Sequence, residues 1–367
     1  MIPVNEPLLN GNEKKYLAEC IDTGWISSEG PFVNRFERIF AEYIGVKHGI
    51  AVCNGTAALE VAMSAINLQP GDEVIMPTFT IISCALAIVR HGGIPVLVDV
   101  EPDTWCMDVN QVKDKITSKT KAIMPVHMYG HPVDMDPIME LAEKHGLYIV
   151  EDAAEVHGAE YKGRKCGGMG HINCFSFYAN KIITTGEGGM VVTDNETLAE
   201  RARLHRNLCF QGGRRFHHEE LGGNYRMTNL QAAVGVAQME RIEEFVEIKR
   251  KNAALYNKLL SDVDGLQLPV EKEWAKNVYW MYGIVLDENI GLNAEDFAKR
   301  LKEKGVATRP FFLGMHEQPV FQKMGLFKNE HYPVAERVAI QGLYLPSGLT
   351  LTQAHIYQIT TIIRNIF

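Results

Sequence analysis

Much that would direct attention elsewhere is missing from this chain. Its 367 residues contain no apolar run long enough to cross a bilayer. The seven cysteines are scattered, with no CxxC pair and no Cys/His spacing suited to a metal ion. They read as reduced thiols that pack as small hydrophobes. Positive charge is not in excess either. A net charge of -8 and a pI near 5.9 give no general attraction for nucleic acid or an anionic membrane. No GxGxxG follows the first apolar run, which sets aside a nicotinamide oxidoreductase. Repeats and low-complexity tracts are absent. The opening Met1-Ile2-Pro3-Val4-Asn5-Glu6 lacks the basic-then-apolar shape of a signal peptide, so the expected location is the cytoplasm. The remainder is ordinary globular composition, 46% hydrophobic and 22% charged, in a chain long enough for two domains.

Short apolar runs alternate with helical patterns through the first two-thirds. Candidate strands are Gly49–Val52, Glu73–Met76, Pro95–Asp99, Ala122–Val126, Leu147–Val150, Cys174–Phe177 and Met190–Val192. Helical segments such as Ala57–Ile66 and Met135–His145 lie between several of them. That alternation predicts an α/β fold, a doubly wound and mainly parallel sheet with helices on both faces. Ligands in such folds bind beyond the carboxyl ends of the strands. From Asn229 the pattern changes. Asn229–Leu260 reads as one long helix with a kink near Gly235. A strand over Tyr279–Val285, a helix near Asn293–Lys304 and a final helix near Thr352–Asn365 follow. The expected division is a large domain over 1–240 and a smaller α+β domain over 241–367.

Lys181 ends the apolar stretch Phe175-Ser176-Phe177-Tyr178-Ala179-Asn180-Lys181 and precedes the glycine-rich Gly186-Glu187-Gly188-Gly189. Desolvation lowers the pKa of such an amine and frees it to attack a carbonyl, here the aldehyde of pyridoxal 5'-phosphate. The plain alternative is a solvated loop lysine. Asp152 emerges at the end of the apolar Leu147–Val150. There it either pairs with the protonated pyridine nitrogen or caps the next helix. Glu155 is either near the ring oxygen, which demands a raised pKa or a shared proton, or a surface helix residue. Asn54-Gly55-Thr56-Ala57 is a strand–turn–helix junction whose Gly55 and Thr56 amides suit an anion, with Ser176 adding a hydroxyl. Gly223-Asn224-Tyr225-Arg226 supplies an amide and a guanidinium before the long helix. The loop Phe210–His218, with Arg214 and Arg215, reads equally as a diphosphate contact or an exposed basic loop.

Taken together, these segments resemble the DegT/DnrJ/EryC1/StrS family of sugar-nucleotide aminotransferases, and the resemblance covers nearly the whole chain. It extends to Gly24-Trp25-Ile26-Ser27-Ser28-Glu29-Gly30, to Met124-Pro125-Val126-His127-Met128-Tyr129-Gly130-His131-Pro132, and to Thr308-Arg309-Pro310-Phe311-Phe312 followed by His316. It implies the aspartate-aminotransferase fold and pyridoxal 5'-phosphate as cofactor, with no metal. Lys181 would bond the cofactor and move the proton. Asp152 would bind the ring nitrogen and Glu155 the ring oxygen. Gly55, Thr56 and Ser176 would hold the phosphate, and Asn224 would reach it from the partner of a homodimer whose sites lie at the interface. Trp25, Arg226, Arg309 and His316 would line the nucleotide-sugar pocket. One position departs from the pattern. Relatives place an aromatic on the cofactor ring where this chain has Ile81, so weaker cofactor retention is expected.

The activity implied is amino transfer from L-glutamate to a 4-keto-6-deoxy sugar nucleotide, with GDP and C4 chosen by resemblance and UDP- or dTDP-linked 4-keto or 3-keto sugars as alternatives. A pyridoxal-phosphate sugar dehydratase would share the fold, but a related dehydratase branch has histidine in place of the lysine, and release of 2-oxoglutarate from glutamate discriminates the two. A non-catalytic sugar-nucleotide sensor is disfavoured by the intact Lys181 and Asp152.

Overall fold

The apolar runs of the first half form one seven-stranded sheet in the computed structural model of the chain, which describes residues 1–211 and 216–367. Its strands are β1 (His48–Val52), β2 (Glu73–Pro77), β3 (Ile94–Val98), β4 (Thr120–Ile123), β5 (Tyr148–Asp152), β6 (Ile172–Ser176) and β7 (Gly189–Thr193). Their spatial order is β1-β7-β6-β5-β4-β2-β3. Every neighbouring pair is parallel except those made by β7, which runs antiparallel to both β1 and β6. Buried residues such as Val74, Ile75 and Met76 follow one another without polar interruption, as strands covered on both faces require. Phe36, Phe40, Phe175 and Phe177 interlock at ring-centroid distances of 4.8–6.1 Å and pin the helix Pro31–Ile44 to the sheet. All seven cysteines are free thiols and six are buried.

A second sheet orders Leu266–Gln267, Tyr282–Leu286, Gly342–Leu345 and Arg309–Pro310, all antiparallel. It carries its own buried cluster, with Phe297, Leu301, Ile356, Ile359 and Ile363 from the flanking helices. The start of the chain joins this cluster through Ile2, whose N–H donates to the Gly305 carbonyl at 2.7 Å. A division at 240/241 therefore leaves the first residues packed on the later segment, and we retain it as a proposal for the remainder.

Two elements differ from the sequence reading. The long helix is two, Asn229–Met239 and Ile242–Leu260, and the break falls at Glu240–Arg241 rather than near Gly235. Gly235 continues the first helix. A Cβ there would meet the Phe36 ring at 2.7 Å, so the glycine serves close packing and not a bend. The later strand begins at Tyr282, not Tyr279. Tyr279 has φ of 47°, and its N–H donates to the Asn277 side chain at 2.7 Å. That turn sends Trp280 out of the sheet.

Two adjacent acids end β5, and strand alternation turns them to opposite faces. Glu151 is wholly buried on one face. It accepts from the His127 imidazole at 3.0 Å, from the amides of Gly167 and Met169 at 2.7 Å each, and from Gly170 N–H. Burial alone would push its carboxyl up, but the His127 hydrogen bond and these amides outweigh it and hold the carboxyl below its ordinary 4.5. The unfolded chain thus binds this proton more tightly than the native one. The resulting stability is complete above about pH 4.5 and is lost as pH falls through the lower native value. Glu151→Gln is expected to cost at least about 1–3 kcal/mol at pH 7, because each carboxylate oxygen serves two buried donors and the amide nitrogen leaves two of them without an acceptor. Urea unfolding should show this gap narrowing below pH 4.5, and an unchanged gap at lower pH would contradict the assignment.

Candidate active site

Beyond the carboxyl ends of β5 and β6 the chain encloses a cleft of about 530 Å³. Lys181, Asp152, Glu155, Gly55, Thr56, Ser176 and Ile81 all line it. Asp152 is the last residue of β5 and is buried. Its Oδ1 accepts from Ala154 N–H at 3.0 Å, and its Oδ2 accepts from the Cys84 thiol at 3.0 Å. Both oxygens are thereby oriented.

Lys181 lies five residues past β6, in a turn closed by its own N–H to the Tyr178 carbonyl at 2.9 Å. Only 10% of its side chain reaches solvent. Its Nζ stands 3.8 Å from Glu155 Oε1 and 3.6 Å from the centre of the Trp280 ring. Burial lowers the pKa of the amine, and the charges of Glu155 and Asp152 oppose that shift only in part. Glu155 accepts the Tyr129 N–H at 2.8 Å, and burial pushes its carboxyl up to about 7 against the pull of Lys181. The pair is driven from both sides toward neutral amine and neutral acid.

The anion-binding end is built at the start of the helix Gly55–Ala65. Asn54 caps it by accepting Ala57 N–H at 2.8 Å, while the Gly55 and Thr56 amides belong to the first turn, where no intrahelical acceptor exists. Ser176 closes one side so tightly that a Cβ on Gly55 would meet its Cβ at 2.7 Å. Ser83, on the next helix, holds the Thr56 hydroxyl at 2.8 Å. The cleft also contains a buried polar atom without a partner among the described residues, Asn180 Oδ1. A helix-terminus cup, an oriented carboxylate, a buried amine and an unanswered polar atom fit the phosphate, the ring nitrogen, the aldehyde and a further polar group of pyridoxal phosphate.

Five other sequence candidates are not brought to this cleft. Trp25 is half exposed, and its carbonyl accepts from Asn229 Nδ2 at 2.8 Å. Asn224 is exposed and pairs through its backbone with Asn207, whose side chain takes the Arg226 guanidinium at 2.6 Å. Arg309 is exposed on its short strand and faces a separate cavity lined by the first residues of the chain. His316 is buried, with Nδ1 bonded to Thr78 Oγ1 at 2.8 Å and Nε2 to Glu336 at 3.1 Å. Arg214 and Arg215 lie outside the described residues. Conversely, sequence reasoning missed Ser83, Cys84, Asn180 and Trp280. The first two lie two and three residues past Ile81, at the start of the helix Ser83–Arg90, and could have been found by reading on from Ile81. Trp280 was hidden inside an apparent strand.

Known proteins match the chain along almost its whole length. The profile of the DegT/DnrJ/EryC1/StrS aminotransferase family matches residues 7–364. A protein named GDP-perosamine synthase from Vibrio cholerae is 40% identical over 369 residues, covering 100% of this chain and 99% of its own. Another of that name from Caulobacter vibrioides is 43% identical over 356 residues, covering 97% and 95%. The crystal structure of the aminotransferase TlmJ from Streptoalloteichus hindustanus superposes with a TM-score of 0.93 at 32% identity, covering 100% of this chain and 98% of that one.

Ile81 is 44% exposed and lines the cleft. Ile81→Tyr is expected to tighten cofactor binding by about 0.5–1.5 kcal/mol, severalfold in Kd. Absorbance titration of the cofactor-free protein with pyridoxal phosphate measures this, and an unchanged or weaker Kd would refute it.

Proposed function

The chain belongs to the DegT/DnrJ/EryC1/StrS aminotransferase family and is a pyridoxal-phosphate-dependent sugar-nucleotide aminotransferase; on that premise we propose that it moves the amino group of L-glutamate to C4 of GDP-4-keto-6-deoxy-D-mannose, giving GDP-perosamine for a surface polysaccharide. The observation that carries the reading is the convergence of the buried Lys181 amine and the oriented Asp152 carboxylate on one cleft with an anion cup at its end.

Bound pyridoxal phosphate supplies an electrophilic carbonyl and a ring that delocalises negative charge. The chain does the rest. Gly55 and Thr56 amides, with the Thr56, Ser83 and Ser176 hydroxyls, would hold the phosphate. Asp152, fixed by Ala154 and Cys84, would keep the ring nitrogen protonated. Lys181 would take a proton from the amino-bearing carbon and return it to the carbon on the other side of the nitrogen, a task suited to an amine whose basicity burial has reduced. Glu155 would face the ring oxygen with its proton shared, since burial already holds that carboxyl near neutrality. Trp280, Phe312 and Tyr344 line the cleft and would exclude water. The preference for GDP and for C4 rests on the full-length relatives named GDP-perosamine synthase. A homodimer would explain why Asn224 is exposed and does not line its own cleft, because it would then serve the partner's.

Incubation with pyridoxal phosphate, L-glutamate and GDP-4-keto-6-deoxymannose should yield an amino sugar nucleotide by mass spectrometry, with one 2-oxoglutarate released per amine. Lys181→Ala should lose turnover by at least a thousandfold. Conversion of UDP- or dTDP-linked ketones alone would overturn the nucleotide, and near-normal turnover of the variant would overturn the role of Lys181.

A further inference from the structure

The indole of Trp280 is tied to both sides of the reactive turn. One face lies over Lys181 Nζ, 3.6 Å from the ring centre, closer than the Glu155 carboxylate at 3.8 Å. Its Nε1–H donates to the Asn180 carbonyl at 2.7 Å, so the same ring holds the peptide that immediately precedes Lys181. Asn5 Nδ2 donates to that carbonyl too, at 2.7 Å, which leaves the turn clamped by the indole and by the start of the chain. The backbone of Trp280 is itself anchored. Its carbonyl accepts from the buried amino group of Lys249 at 2.8 Å, and Lys249 also donates to the Ser347 carbonyl at 2.5 Å.

We propose that Trp280 is a positioning residue for Lys181: the indole face covers the amine and favours its charged form, while Nε1–H fixes the turn that aims it into the cleft. The proposal rests on the reading of Lys181 as the amine that bonds the cofactor. An aromatic face stabilises a cation by its quadrupole, most of all where water is excluded. The titratable groups facing the amine are Glu155, Asp152, Cys84 and His157, and all four residues are retained in both variants below.

Two variants separate the two contacts. Trp280→Phe keeps a π face and loses the N–H, whereas Trp280→Leu keeps an apolar cover and loses both. In cofactor-free full-length protein, trace acetylation by acetic anhydride, read on the Lys181 peptide across a pH series, reports the amine's protonation midpoint. The midpoint of W280L should lie below that of W280F by roughly half a unit or more. At a pH above all midpoints, where the amine is neutral in every protein, W280F should capture pyridoxal phosphate severalfold more slowly than the unaltered protein. A W280L midpoint equal to or above that of W280F would overturn the electrostatic arm, and equal capture rates would overturn the positioning arm. If the unaltered protein captures no pyridoxal phosphate on Lys181, the cofactor reading itself fails and this inference fails with it.

Discussion

Ten per cent of the Lys181 side chain reaches solvent, and the carboxylate facing it stands 3.8 Å away, beyond hydrogen-bond reach. An ammonium so placed has surrendered most of its hydration for a partial return. Burial shifts the balance toward the neutral amine, the form that is the nucleophile a bound aldehyde needs. The same burial drives Glu155 to about 7. Two groups that would pair as a salt bridge on the surface are thus both shifted toward their neutral forms. In the proposed chemistry the walls that line the cleft, Phe312 and Tyr344 among them, matter as much as the charged groups.

Around that amine the sheet acts as a positioning device. Every strand of the first sheet except β7 points its carboxyl end the same way, so the junctions after β1, β5 and β6 deliver Gly55, Asp152 and Ser176 to one cavity. The period of two then assigns the neighbouring acids of β5 to different tasks. Asp152 enters the cleft, while Glu151 enters the core and collects donors from His127 and the loop 167–170. One carboxylate orders the scaffold that holds the other.

The strands, the helix at Gly55 and the residues of the cup were legible in the sequence because they depend on local signals: apolar runs, a helix cap and small residues at a tight junction. The break at Glu240–Arg241 was not, since neither residue is a breaker, while Gly235 suggested a bend that packing against Phe36 does not need. Trp280 was misplaced for a related reason. A run of apolar residues reads as strand until the positive φ of Tyr279 interrupts it, and a non-glycine residue gives no warning of that conformation. Asn224 and Arg226 could not be placed in the cleft by one chain, and the buried, doubly bonded His316 shows that a motif position does not disclose its exposure. Long-range packing decides such positions, and it leaves no periodic trace.

The most direct test of the account is to locate the cofactor bond. The protein is incubated with pyridoxal phosphate, reduced with borohydride and digested, and the peptides are read by mass spectrometry. The account predicts a single phosphopyridoxyl adduct on Lys181, absent from the Lys181→Ala protein. An adduct confined to other lysines, or none at all, would contradict it.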